Sequence, residues 1–219
     1  LTISASAQQL KFAVPFQHGF DGANPGVVPK TGGDITAASM AQGTDGAMVL
    51  TITDNAVAAG TFTISGDITA ATAALTIKTD DNTSGLSVGG AVTEDGVAIK
   101  FQLDDTGTLA FTGTTKNIDG IIDGVADNEG TVNFEGVTEV DEAMGGANHL
   151  KLINVATGKS ADLNAAVNAT AFTTTGTGSA NFDGAVGVDT ITNNGTMTFN
   201  STIDNEAADG EGALVMNAT

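Results

Sequence analysis

Along this chain the hydrophobic positions fall at every second residue in short runs, and turn residues separate the runs. Leu50 and Ile52 alternate with Thr51 and Thr53, Phe62 and Ile64 with Thr61 and Thr63, and Leu75 and Ile77 with Thr76 and Lys78. The longest run is Val97, Ile99, Phe101 and Leu103, interleaved with Ala98, Lys100 and Gln102. A period of two is the signature of a strand with one buried face. Between the runs lie Asp54-Asn55, Asp80-Asp81-Asn82, Glu94-Asp95-Gly96, Asp104-Asp105-Thr106-Gly107 and Asn193-Asn194-Gly195, all with turn chemistry. The one helical suggestion is Ser160 to Ala171, with Ser160 placed as an N-cap.

The first 16 residues alternate as well, with Leu1, Ile3, Ala5 and Ala7 on one face and Leu10, Phe12, Val14 and Phe16 after a shift at Gln8-Gln9. This predicts one long strand with a bulge at the two glutamines. It would belong to the chain's own sheet or be donated to a neighbouring subunit by strand complementation. Ala5-Ser6-Ala7 before Gln8 matches the pattern of a signal-peptidase cut and equally an Ala/Ser-rich arm. The stretch that follows holds Pro25 and Pro29, with Pro15 at its edge, and Asp21-Gly22 and Asn24-Pro25 as turns. It reads as a connector or cap that keeps the end of a strand stack from pairing indefinitely. The predicted organisation is therefore a strand arm and cap over residues 1–33 and a repetitive all-β domain over 34–219.

A seven-residue phrase returns throughout the repetitive domain: a glycine, a hydroxyl residue, two variable positions, an apolar residue, one more variable position and a small residue. It reads G-T-F-T-I-S-G at Gly60 to Gly66, G-T-L-A-F-T-G at Gly107 to Gly113 and G-T-V-N-F-E-G at Gly130 to Gly136. It reads G-S-A-N-F-D-G at Gly178 to Gly184 and G-T-M-T-F-N-S at Gly195 to Ser201. Successive copies start 47, 23, 48 and 17 residues apart. A period near 23 survives with two degenerate copies skipped, and Gly85-Leu86-Ser87-Val88-Gly89 and His149-Leu150-Lys151-Leu152 stand where those copies belong. Short strands at such a period predict the coils of a β-solenoid, a parallel β-helix-like fold. The rival is an antiparallel β-sandwich, because Val97 to Leu103, a four-residue turn and Thr108 to Thr112 would also make a good hairpin. The repeat spacing favours the solenoid.

Composition narrows the function classes. The chain has 219 residues, 26 acidic against 7 basic side chains, all 7 of them Lys, and a formal charge of −19. Such a charge argues against nucleic acid, whose phosphates nothing here would neutralise, and against anionic membrane surfaces. It suits a salt-rich or divalent-cation-rich medium. There is no Cys, which excludes disulfides and thiolate metal sites, and no apolar run reaches the roughly 20 residues of a membrane helix, so no membrane insertion is expected.

The runs Gly130 to Gly136, Gly178 to Gly184 and Ile191-Thr192-Asn193-Asn194-Gly195-Thr196-Met197-Thr198-Phe199 resemble the passengers of bacterial autotransporters, in particular the rickettsial outer-membrane protein B type. The resemblance is one of style, spans roughly Gly60 to Asn217, and is shared by bacterial and archaeal surface-layer proteins. It implies export, display outside the cell, adhesion or coat formation, and no cofactor.

Candidate chemistry is sparse. Gly85-Leu86-Ser87-Val88-Gly89 matches the G-x-S-x-G nucleophile pattern, but that elbow needs a helix after it, and the residues that follow read as turn and strand. His18 and His149 are the only imidazoles and lack zinc-ligand spacing. Without Trp or Tyr there is no aromatic platform for a sugar, and without Arg a polysaccharide-lyase site is poorly served. Calcium is the best-supported ligand. Asp119, Asp123, Asp127 and Glu129 place carboxylates among glycines at four-residue spacing, and Asp204, Glu206, Asp209 and Glu211 form a second acidic cluster. Hard cations take several such oxygens, although neither cluster matches an EF-hand or a glycine-rich calcium repeat.

The sequence thus predicts a non-catalytic structural protein, extracellular or at the cell surface, that self-associates through strand edges or its N-terminal arm as a surface-layer or filament subunit. The alternatives are an adhesin passenger that binds cell-surface glycans and, more remotely, a carbohydrate-active β-helix enzyme.

Overall fold

The computed structural model describes residues 2–5, 10–13, 28–29, 35–37, 39–42, 47–53, 61–70, 73–80, 85–204 and 213–216. Every regular element among them is a strand. Three come first: β1 (Thr2–Ala5), β2 (Leu10–Ala13) and β3 (Val28–Pro29). The chain then winds in coils, each side of a coil being one strand. The first coil is β4 (Ile35–Ala37), β5 (Ser39–Gln42) and β6 (Met48–Thr53). The second is β7 (Thr61–Ile64), β8 (Ile68–Ala70) and β9 (Leu75–Asp80). The third is β10 (Gly85–Val88), β11 (Val92–Glu94) and β12 (Ile99–Leu103). The fourth is β13 (Thr108–Phe111), β14 (Thr114–Ile118) and β15 (Ile121–Gly124). Beyond these come β16 (Glu129–Phe134), β17 (Val137–Val140), β18 (Leu150–Val155) and β19 (Ser160–Leu163). The last are β20 (Val167–Thr174), β21 (Ser179–Phe182), β22 (Val186–Asn193), β23 (Thr196–Phe199), β24 (Ile203–Asp204) and β25 (Ala213–Met216).

Corresponding sides stack into three sheets. The first runs β15-β12-β9-β6-β1-β3, the second β24-β22-β20-β18-β16-β13-β10-β7-β4 with β25 also on β22, and the third β2-β5-β8-β11-β14-β17-β19-β21-β23. Among β4 to β25 every pairing with one another is parallel, so the fold is a β-solenoid and the sandwich is excluded. The expected hairpin is not formed: β12 and β13 are consecutive sides of the coil and lie in different sheets. Nor is Ser160 to Ala171 helical, since it contains β19 and the start of β20. There the alternation Ala161, Leu163, then Val167, Ala169 meets a buried inner face, and tertiary stacking overrides a weak local propensity.

The parallel register stacks like on like. In the second sheet, Phe62 pairs with Leu86, 24 positions on, then Leu109 and Val132 follow at steps of 23. Ile153 comes 21 further, and Phe172 and Ile191 at steps of 19. All of these side chains are buried on the coil axis. Phe111 lies on Phe134 with ring centroids 5.7 Å apart, and Phe182 on Phe199 at 4.8 Å. That is close to the spacing of neighbouring strands, so each aromatic packs at no cost in backbone geometry.

The shrinking step has a structural cause. After β15 the first sheet continues only as a single bridge at Met144, which joins Ile122 to Val167. Beyond it, the amino-terminal halves of β20 and β22 take over that side, and their carboxy-terminal halves belong to the second sheet. Two sides of the coil have fused into one strand of 8 residues, which removes a corner. The third sheet tightens in parallel, from Ser160 to Ser179 in 19 positions and from Ser179 to Thr196 in 17.

At the other end the arm is two strands on two sheets, not one bulged strand. β1 pairs antiparallel with β6 and β3, while β2 pairs antiparallel with β5. The arm is thus hydrogen-bonded within its own chain. Its outermost strand ends in Pro29, which has no N–H to offer, a residue suited to an edge.

Candidate functional site

The first cluster offered for calcium runs from the end of β14 through β15 and the turn after it to Glu129, the first residue of β16. Asp119 follows β14, and its Oδ2 accepts from the Glu94 N–H at 3.4 Å. Asp123 lies within β15 and is 1% exposed; it meets Lys100 Nζ at 2.7 Å and accepts from the Ala147 N–H at 3.1 Å. Asp127 accepts from the His149 N–H at 3.0 Å, and Glu129 accepts from the Ala126 N–H at 2.9 Å. Four-residue spacing gathers side chains on a helix, but in an extended coil it spreads them about 13 Å apart. Asp119 and Asp127 accordingly fall outside the strand that contains Asp123. Among the described residues, no three carboxylate or imidazole side chains come together as a metal would require. Of the second cluster, Asp204 is in β24 opposite Gly187, and Glu206, Asp209 and Glu211 lie outside the described residues, as does His18.

What Asp123 and Asp127 do instead is hold residues 143–149 against the coil. Asn148 donates from Nδ2 to the carbonyls of Gly124 and Val125, both at 3.1 Å, and its own carbonyl accepts from the Gly124 N–H. Gly145 N–H donates to Ile122, and Met144 N–H to Ala166. This segment stands in for the missing strand of the first sheet. Asp123 points outward in the strand alternation yet is buried, because it lies beneath this segment with Lys100 as its countercharge. Buried carboxylates persist when ion-paired and hydrogen-bonded in this way.

Ser87 is mid-strand in β10, in register with Thr63 and Ala110, and β11 follows it. The strand-to-helix turn that would strain and present a nucleophilic serine is not made.

Acids do meet side by side, at the coil period. Glu139 of β17 is directly opposite Asp162 of β19, which is opposite Asn181 of β21. Asn164 Nδ2 donates to Glu139 Oε1 at 2.9 Å and to Asp141 Oδ1 at 2.7 Å. Asn181 Nδ2 donates to Asp162 Oδ1 at 2.7 Å, and Asn200 Nδ2 to Asn181 Oδ1 at 2.9 Å and Asp183 Oδ1 at 2.7 Å. Like charges opposite each other in a sheet repel. Amide donors between the carboxylates turn that repulsion into a hydrogen-bonded ladder. Its signal in the sequence is acidic and amide residues recurring 19 to 23 positions apart (Glu139, Asp162, Asn181, Asn200), masked by the abundance of both kinds.

Glu94 is the one described acid with a resolved shift. Burial raises its carboxyl above the usual value, the Ile99 N–H that donates to it lowers it, and the charges of Asp119 and Glu142 raise it further. A raised carboxyl costs stability in its charged form. That cost is absent below the unfolded-state value and appears as pH rises through the folded-state value. Glu94→Gln keeps an oxygen for Ile99 and removes the charge. The variant should therefore be more stable than the parent at pH 7, with the difference closing by about pH 3.5, below an ordinary glutamate. Urea titrations at both pH values check this, and a gap that widens on acidification would contradict it.

No family model matches this chain, no curated protein matches it, and no solved structure matches it.

Proposed function

We propose that the chain is a non-catalytic structural rod that works outside the cell as a self-associating surface-layer or filament subunit. The observation that carries this reading is the in-register parallel stack itself. Its constant feature is a buried column of apolar residues, and its outward positions are mostly small hydroxyl and amide groups, with acids and lysines scattered among them and no recurring constellation of a catalytic kind. Repetition of this kind makes a stiff body whose surface is extended and uniform, which favours assembly over a local site. The charge of −19 fits a salt-rich exterior, and the resemblance to displayed and coat-forming repeat proteins points the same way.

Negative-stain microscopy of the purified chain tests it, in calcium and in chelator, at low and high salt. Ordered polymers or sheets are the expected result. Isolated rods under every condition would contradict the subunit reading in favour of a displayed adhesin passenger. Cleavage of a glycan, lost on changing one carboxylate, would contradict the non-catalytic reading.

A further inference from the structure

The three outer faces of the solenoid differ in charge. The outward positions of the first sheet include Lys78, Lys100 and Asp123. Those of the third include Glu139 and Asp162, which stand opposite each other. The two outward columns of the second sheet contain no charged residue from β7 to β22. In one, Thr63, Ser87, Ala110, Asn133, Asn154 and Thr173 succeed one another in register, and Thr192 follows. The other runs from Thr61 through Thr108 and Thr131 to Leu152, Ala171 and Thr190. All of these side chains from β7 to β22, bar Gly85 which has none, are half-buried by their in-register neighbours and level with one another. Glu129, Lys151 and Asp189 stand at one border and Glu135 at the other, all outside the two columns.

We infer that this charge-free face is where two copies of the chain meet, face to face. The inference deepens the proposed self-association by naming the surface, and it rests on that reading. Two molecules that each carry −19 repel, and a carboxylate within a contact lies inside one Debye length, about 8 Å, of its counterpart. Like-charge juxtaposition costs several kcal/mol, so contact is least opposed where neither copy brings a charge. The seven rungs from β7 to β22 make a strip about 30 Å long at strand spacing. Its burial in both copies together is on the order of 1,000 Å², the lower limit of a specific interface. A single pair is then weak, and an array of pairs gains by repetition. A face that packs on itself is isologous, so a residue near its centre meets its own copy.

The chain has no Cys, which makes the test direct. Asn133 lies in the central rung, β16, and Asn133→Cys should give a covalent dimer with a short bis-maleimide linker. Ser179→Cys, outward on the third sheet, should not. In sedimentation equilibrium up to about 0.5 M salt, where the Debye length is near 4 Å, the parent should associate more tightly as salt rises. Asn133→Asp combined with Thr173→Asp should weaken that association at least about tenfold. Ser179→Asp combined with Thr198→Asp should leave it unchanged, with circular dichroism and thermal melts confirming the fold of both. Equal cross-linking from positions 133 and 179 would overturn the inference. So would full assembly of the Asn133/Thr173 variant, in which case self-association stands and another surface mediates it. A parent that stays monomeric throughout overturns both the inference and the reading beneath it. A monomeric parent retained on an insoluble polysaccharide, with retention lost in the same variant, would assign the face to a glycan instead.

Discussion

Replacing Phe134 by alanine is expected to lower the unfolding free energy by about 3–5 kcal/mol. Phe134 is fully buried in β16, stacked on Phe111, which in turn meets Phe101 edge-on at 6.2 Å between centroids. In a globular core the surroundings of a deleted ring relax inward and recover some of the loss. Here they have little freedom to do so, because strand spacing is fixed by the hydrogen bonds of the rungs above and below. The cavity also weakens two coil-to-coil interfaces at once, and a solenoid's stability is a sum over such neighbours. Phe199 is the comparison: it is stacked on Phe182 but half-exposed at the end of the third sheet, and its loss should cost clearly less. Urea denaturation of the two variants decides it. A cost for Phe134→Ala below about 1 kcal/mol would mean that the column does not carry the fold.

The second large effect is expected at a residue with no side chain. A methyl group on Gly136 would stand 1.7 Å from the carbonyl oxygen of Gly113, and one on Gly113 would stand 2.3 Å from that of Gly89. Backbone oxygens in a hydrogen-bonded rung cannot step aside. Gly136→Ala should therefore cost about 3 kcal/mol, at the upper end of overpacking penalties. Gly96 provides the contrast. It has a φ of 80° and nothing within 4 Å of an added methyl group. Gly96→Ala should cost only about 1 kcal/mol, the ordinary penalty of a left-handed conformation in an L-residue. Thermal melts of the two side by side check the ranking, and an equal loss at both sites would contradict it.

These glycines also show why the repeated phrase could be read from the sequence and yet be misplaced. Alternation of Phe62 and Ile64 with threonine, or of Ile99, Phe101 and Leu103 with polar residues, predicts the strands directly, because one face of each must be dry. The spacing also locates one degenerate rung, since Gly85–Val88 is a strand of the second sheet between the copies at Gly60 and Gly107; the other, His149 to Leu152, only overlaps β18, where Ile153 and Val155 fill the core and Leu152 faces outward. The phrase does not mark one side of the coil, however. The copies at Gly60, Gly107 and Gly130 supply the second sheet, and those at Gly178 and Gly195 supply the third. It encodes a strand between two tight corners, and any side of the coil can use that. What the sequence does not carry locally is the fusion of two sides at β20, because losing a corner depends on how Met144 and residues 145–149 fill the first sheet.

The acidic residues were harder to place for a related reason. Clustering along the chain looked like ligand spacing, but side chains in a coil meet one period apart, not four residues apart. Asp119, Asp123, Asp127 and Glu129 were conspicuous in sequence and are occupied with backbone amides or Lys100. Glu139, Asp162 and Asn181 were inconspicuous and stand opposite one another. The same arithmetic hides the charge-free face, whose members are never close in sequence.

Each coil of chain advances the rod by one strand spacing. Nitroxide labels on introduced cysteines measure that advance in a chain with no Cys of its own. Thr63 and Thr173 are five rungs apart in one column of the second sheet, and Thr63 and Thr192 are six. Pulsed dipolar distances should centre near 24 Å for the first pair and near 29 Å for the second, at about 4.8 Å per rung. Distances that fail to grow by one strand spacing between the two pairs would contradict the coil, and with it the rod and the face proposed for its assembly.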